Sequence, residues 1–136
     1  MRQTVLFLCP HGAAKSVMAA AYFQRLVEKR GLNLHADAAG TDPSPEVAPA
    51  VVALLREEGI DVVHYQPRAV TKDDVESAVR VVSLGCPVND LPIVPTVIEH
   101  WDDVPLPSIN LVVTRDTIRS HVERLVGELA APGQQE

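Results

Sequence analysis

The chain has 136 residues, 46% of them hydrophobic and 22% charged, the size and balance of one globular domain that can bury a core without disulfides or a structural metal. Its formal net charge of -6, from 12 Lys and Arg against 18 Asp and Glu, would repel a polyanion over most of the surface and argues against nucleic acid as a partner. No stretch approaches the roughly 20 apolar residues of a membrane span, and no small-residue cleavage site follows the apolar start, so a cytoplasmic protein without a membrane partner is expected.

Residues 4–8 (Thr-Val-Leu-Phe-Leu) form an unbroken apolar run that predicts a strand buried on both faces of a parallel sheet. After the loop that begins at Cys9, an amphipathic helix is predicted over 16–30, with Val17, Ala20, Ala21, Phe23 and Leu26 inward and Gly31 as its stop. Alternation over 33–39 predicts an outer strand, and Pro43 and Pro45 enforce a loop after it. A second helix fits 47–59, with Pro49 in its first turn, Val51, Val52, Leu54 and Leu55 apolar, and Gly59 at its end; a short third helix fits 72–78. The β-branched stretch 78–84 predicts another buried strand, and 95–101 a further short one. Ser108 then reads as the N-cap of a terminal helix reaching about Ala130, with Val112, Ile118, Val122 and Leu125 inward. Strands alternating with helix-length connections imply a three-layer α/β fold with a doubly wound parallel sheet. One domain is expected over 1–131, with 132–136 a polar tail.

In such sheets ligands bind beyond the C-terminal ends of the strands, where Cys9-Pro10-His11-Gly12-Ala13-Ala14-Lys15-Ser16 falls. Small residues let successive backbone N–H groups point into one concavity, and the following helix adds the positive end of its dipole. That arrangement suits an oxyanion such as phosphate, arsenate or sulfate. It also stabilises the thiolate form of Cys9, which becomes a nucleophile toward the anion's central atom, with Lys15 neutralising charge and Ser16 donating to the sulfur. Spacing alone leaves a second reading open, in which Cys9 is an inert core thiol, since free cysteine is among the most buried residue types.

The run Val-Leu-Phe-Leu-Cys9, with a basic residue six positions on and Ser16 after it, resembles the Cys-x5-Arg-Ser loop of the low-molecular-weight protein tyrosine phosphatase and arsenate reductase superfamily. Ala39-Gly40-Thr41, Pro49, Glu58-Gly59-Ile60-Asp61, Pro67-Arg68, Thr71 and the stretch from Val81 to Cys86 follow that family's landmarks in order, so the resemblance spans about residues 4–125. It implies a four-stranded parallel sheet in the flavodoxin-like order 2-1-3-4. It also implies a cysteine-dependent oxyanion enzyme, of arsenate reductase or phosphatase type, with Cys9, Lys15 and Ser16 catalytic and residues 10–16 binding the anion. No cofactor or metal is implied, only a thiol electron donor, a small thiol or a thioredoxin-type protein, if the enzyme is a reductase. Gly85-Cys86 and His100-Trp101 resemble the thiol-dependent arsenate reductases more than the tyrosine phosphatases.

Several positions depart from the family pattern. Lys15 replaces the loop arginine and so offers a point charge in place of a planar fork. Gly12 stands where the family has asparagine, and His11 is either a compensating source of charge or protons, or a solvent-facing loop residue. Leu106 occupies the place of the family's acidic residue, leaving Asp102 and Asp103 either as acids on a shifted loop or as a solvated turn. Cys86 is placed either to resolve an oxidised Cys9 as a disulfide or as a buried structural thiol. No third cysteine follows it, so a three-cysteine relay is excluded. With the arginine and the acid both missing, a degenerate oxyanion-binding or interaction protein is the alternative reading.

Overall fold

The computed structural model describes residues 3–95 and 97–130. Four parallel strands, β1 (Gln3–Leu8), β2 (Leu34–Ala39), β3 (Ala78–Ser83) and β4 (Glu99–His100), lie in the order β2-β1-β3-β4, as the family resemblance implied. Helices α1 (Lys15–Lys29), α2 (Pro49–Glu57), α3 (Lys72–Ser77) and α4 (Leu111–Leu129) complete the fold.

The apolar run of β1 is explained by its position between β2 and β3. Val5 and Phe7 join the larger core with Phe23 of α1, Leu55 of α2, Trp101 and Ile118 of α4, whereas Leu6 and Leu8 face a second core with Val70, Val75 and Leu91. A strand covered on both faces has no polar side to show, which removes the usual alternation. Phe7 touches the rings of Phe23 and Trp101 at centroid distances of 5.5 and 5.7 Å, tying the strand to the helical layer and to the segment after β4.

The helices begin and end within a few residues of expectation, with informative exceptions. In α1 the fully buried stripe includes Ala19, Tyr22 and Val27, while Ala20, Ala21 and Leu26 lie at its half-buried margin. Helix α2 starts at Pro49, where the missing N–H costs nothing. Thr71 caps α3 in a reciprocal capping box with Asp74. Ser108 is not the cap of α4. The Ile109 N–H donates to the Leu106 carbonyl and closes a turn over 106–109, so Asn110 becomes the cap and its side chain accepts from the Val113 N–H at 3.1 Å. Val112 is correspondingly exposed, and Thr114 takes the inward place by donating its hydroxyl to the Pro105 carbonyl at 2.9 Å.

The strand expected over 95–101 shrinks to the two residues of β4, and Thr96 lies outside the described residues. The polar tail 132–136 lies outside them as well. No helix among the described residues is long and apolar enough to cross a membrane.

Candidate active site

In the strand register Leu8 sits opposite Ala39 on one side and Ser83 on the other, so three strands end level with one another. Cys9, Gly40 and the turn Leu84-Gly85-Cys86 therefore share one edge of the sheet, and α1 begins six residues after Cys9, at Lys15.

The loop between β1 and α1 has its outer side bonded to the segment after β2. Asp42 N–H donates to the Pro10 carbonyl at 2.8 Å, Ser44 N–H to His11 at 3.0 Å and Ala48 N–H to Ala13 at 2.9 Å. A planar trans peptide holds its C=O and N–H on opposite sides, so the units whose carbonyls point out to 42–48 aim the His11 and Ala14 N–H groups the other way. Among the described residues, the amides of His11, Ala13, Ala14, Lys15, Ser16 and Val17 donate to no protein acceptor. Unpaired donors gathered at a helix start form an anion cradle, and the helix dipole adds to it.

Two glycines make this loop possible. Gly12 has φ of 58°, the left-handed region that glycine and asparagine enter most readily, which accounts for glycine at a position where the family carries asparagine. Gly40 lies beneath the loop, where a Cβ would come within 2.6 Å of the Gly12 nitrogen and 2.7 Å of the Pro10 oxygen.

Cys9 and Ser16 are both buried, and the Cys9 Sγ lies 3.0 Å from the Ser16 Oγ. Lys15 makes no ion pair or hydrogen bond with another described side chain; its Nζ hangs over Gly85, 3.2 Å from where a Cβ would stand. Gly85, with φ of 88°, leaves the room that this lysine uses. Cys86 is buried nearby, and both thiols are free. Burial pushes the Cys86 thiol up, Thr41 at 3.9 Å draws it down, and the neighbouring Cys9 and Asp90 add electrostatically to the rise. Ser83 pins this turn by accepting from the Cys86 N–H and donating to its carbonyl, both at 3.0 Å.

The remaining candidates are not gathered into the cradle. The His11 ring turns to the outer side, with Nδ1 donating to the Asp42 carbonyl at 3.0 Å, and is largely exposed. A carbonyl only accepts, so Nδ1 is the donor here, and Nε2 makes no hydrogen bond among the described residues. Asp103 is committed to α4: its carboxylate meets His121 Nε2 at 2.7 Å, and the imidazole stacks on Trp101 at 4.7 Å. Asp102 is exposed and makes no ion pair among the described residues, and Leu106 is exposed too. Residues 101–107 leave β4 at the same sheet edge as Cys9, but β3 lies between. Three positions of this site, Thr41, Asp42 and Gly40 as a floor, had no chemical signal in the sequence beyond the family landmark Ala39-Gly40-Thr41. No group of three or more potential metal ligands occurs among the described residues.

Residues 4–87 match the family model described as low molecular weight phosphotyrosine protein phosphatase. A putative arsenate reductase of Halobacterium salinarum is 32% identical over 97 residues, which cover 70% of this chain and 68% of that protein. A protein-arginine-phosphatase of Bacillus subtilis is 32% identical over 82 residues, 59% of this chain and 54% of that protein. Among solved structures, YfkJ from Bacillus subtilis superposes with a TM-score of 0.83 at 23% identity, over 95% of each chain. A low molecular weight protein tyrosine phosphatase from T. tengcongensis superposes with a TM-score of 0.80 at 21% identity, over 93% of this chain and 99% of that one. An arsenate reductase in its phosphate-binding state gives 0.75 at 24% identity, over 93% of this chain and 98% of that one. At these identities the structural likenesses speak for the fold.

Proposed function

This chain belongs to the low molecular weight phosphotyrosine protein phosphatase family, and on that premise we propose a cysteine-dependent oxyanion enzyme in which the Cys9 thiolate attacks the central atom of a bound phosphoryl or arsenate group. The observation that carries the proposal is the 3.0 Å contact between Cys9 and Ser16 at the base of a loop whose Pro10, His11 and Ala13 carbonyls are bonded outward and whose His11, Ala13 and Ala14 amides donate to no protein acceptor among the described residues.

In this reading the cradle amides and Lys15 hold the oxyanion, Ser16 donates to the thiolate, and a bond from sulfur to phosphorus or arsenic forms as the bond to the leaving oxygen breaks. With a phosphoryl group, water then cleaves the S–P bond and returns free Cys9 and phosphate. With arsenate, a donor thiol attacks the Cys9 sulfur. The S–As electron pair passes to arsenic, which is reduced from the +5 to the +3 state, and a disulfide joins Cys9 to the donor. A second thiol equivalent restores Cys9. Cys86 is the internal candidate for the first thiol, and a small thiol or a thioredoxin-type protein the external one.

The arsenate branch draws support from the acids. A phosphate ester needs a proton on its leaving oxygen. Here Asp103 is turned to His121, and only Asp102 is unpaired among the described acids of that segment. Two relatives carry the names arsenate reductase and protein-arginine-phosphatase. The test is therefore three assays side by side, on arsenate with thiol donors, on p-nitrophenyl phosphate and on a phosphoarginine peptide, with the unmodified protein and Cys9→Ser. The expected result is Cys9-dependent turnover of at least one substrate, with a loss of about a thousandfold or more in Cys9→Ser, as removal of a nucleophile gives elsewhere. Silence in all three, with phosphate still bound, would leave an oxyanion-binding protein in place of an enzyme.

A further inference from the structure

A second concave surface lies between α1 and α4, a groove of about 390 Å3. From α1 it is lined by Tyr22, Arg25 and Lys29, and from α4 by Arg119 and Glu123, over an apolar floor of Leu26 and Val122. Its size is that of a small-molecule pocket. Measured along α1 at 1.5 Å per residue, Arg25 and Lys29 stand about 15 and 21 Å from the start of the helix at Lys15, so the groove is separate from the Cys9 loop.

The lining carries three cations and one carboxylate in a chain whose net charge is -6. Two of those cations are held in place. The Tyr22 ring lies against both guanidiniums, with Arg25 at 5.9 Å and Arg119 at 5.7 Å from its centroid. Glu58 organises the same set: its carboxylate accepts from the Tyr22 hydroxyl and lies 3.8 Å from Arg119, while its carbonyl accepts from Arg25. Each guanidinium has five N–H donors, and these contacts use few of them. Lys29 makes no ion pair among the described residues. Positioned cations with spare donors bind an anion without the ordering cost that flexible surface side chains incur.

We propose that this groove binds a small phosphate-bearing molecule, its phosphate on Arg25, Lys29 and Arg119 and its carbon skeleton on Leu26 and Val122. The inference does not depend on the chemistry assigned to Cys9. It is tested by titrating the full chain with inorganic pyrophosphate at constant ionic strength while following backbone amide resonances. Saturable shifts are expected at residues 22–29 and 119–123, apart from any at residues 10–16. In the pair Lys29→Ala and Arg119→Gln the groove response should weaken about tenfold or more, as loss of charge-assisted hydrogen bonds predicts, while the response of the Cys9 loop stays unchanged. Shifts confined to the Cys9 loop, shifts that grow without saturating, or an equal groove response in the variant would each overturn the proposal. Were the double variant to lose its folded spectrum, the exposed Lys29→Ala change alone must still weaken the groove response several-fold.

Discussion

Gly40 acts through the room it leaves. A methyl group there would stand 2.8 Å or less from the Gly12 nitrogen and the Pro10 and Cys9 oxygens, all of them backbone atoms of the loop it supports. Backbone cannot swing aside like a long side chain, so Gly40→Ala must lift the loop. The expected cost is about 1–3 kcal/mol of stability from overpacking. A larger proportional loss should appear in Cys9-dependent turnover, about a hundredfold for a displacement near 1 Å. Thermal melts together with the assays above check both, and a variant with unchanged turnover would show that the loop does not rest on this contact. Lys15 belongs to the same scale. Its ammonium over Gly85, without an ion pair among the described residues, offers a point charge where a fork would bind two oxygens at once, so in the proposed reading the loop amides would carry more of the anion's recognition.

At the scale of elements, the segment between β4 and α4 separates what the Asp102 region does from what its sequence resembles. The turn over 106–109 moves the helix start to Asn110 and leaves Leu106, Ile109, Val112 and Val113 exposed on the outside. Asn110→Ala should lower stability by about 1 kcal/mol through loss of the cap. Ser108→Ala should stay within about 0.5 kcal/mol, as surface changes usually do. Denaturant melts of the two variants distinguish them, and equal losses would return the cap to Ser108. Upstream, the stacked pair of Trp101 and His121, with His121 holding Asp103, anchors the same segment to α4.

For the whole molecule, resistance to acid should rest on carboxylates shared between layers. Burial alone would raise Glu99, but hydrogen bonds from Trp101, Arg124 and Arg80, at 2.6, 2.6 and 3.1 Å, hold its carboxyl below the ordinary value. Asp74 behaves likewise: burial acts upward, and Arg68 and Thr71 outweigh it. Both groups have a lower pKa folded than unfolded. Their stabilisation is therefore complete above the unfolded values, 4.5 for the glutamate and 3.8 for the aspartate, and is lost as pH falls through the lower folded ones. Glu99→Gln should cost about 1.5–3 kcal/mol near neutral pH, and the difference from the unmodified protein should shrink below about pH 4. Melting temperatures from pH 7 to pH 3 test this, and a difference constant across that range would count against it.

Local chemistry was legible from residue types alone. The apolar run of β1, the loop that starts at Cys9, the helix after it and the stop at Gly59 each follow from the energetics of neighbouring residues, and together with the ordered landmarks they determined the parallel fold and pointed to the loop proposed as the site. Contacts between residues distant in the chain were beyond that reach. Gly40 under the loop, Lys15 over Gly85, Asp103 turned to His121 and His11 turned outward to Asp42 each depend on which segments tertiary packing brings together. Such a choice is made by summed burial and geometry, and a side chain's own preferences carry no record of it.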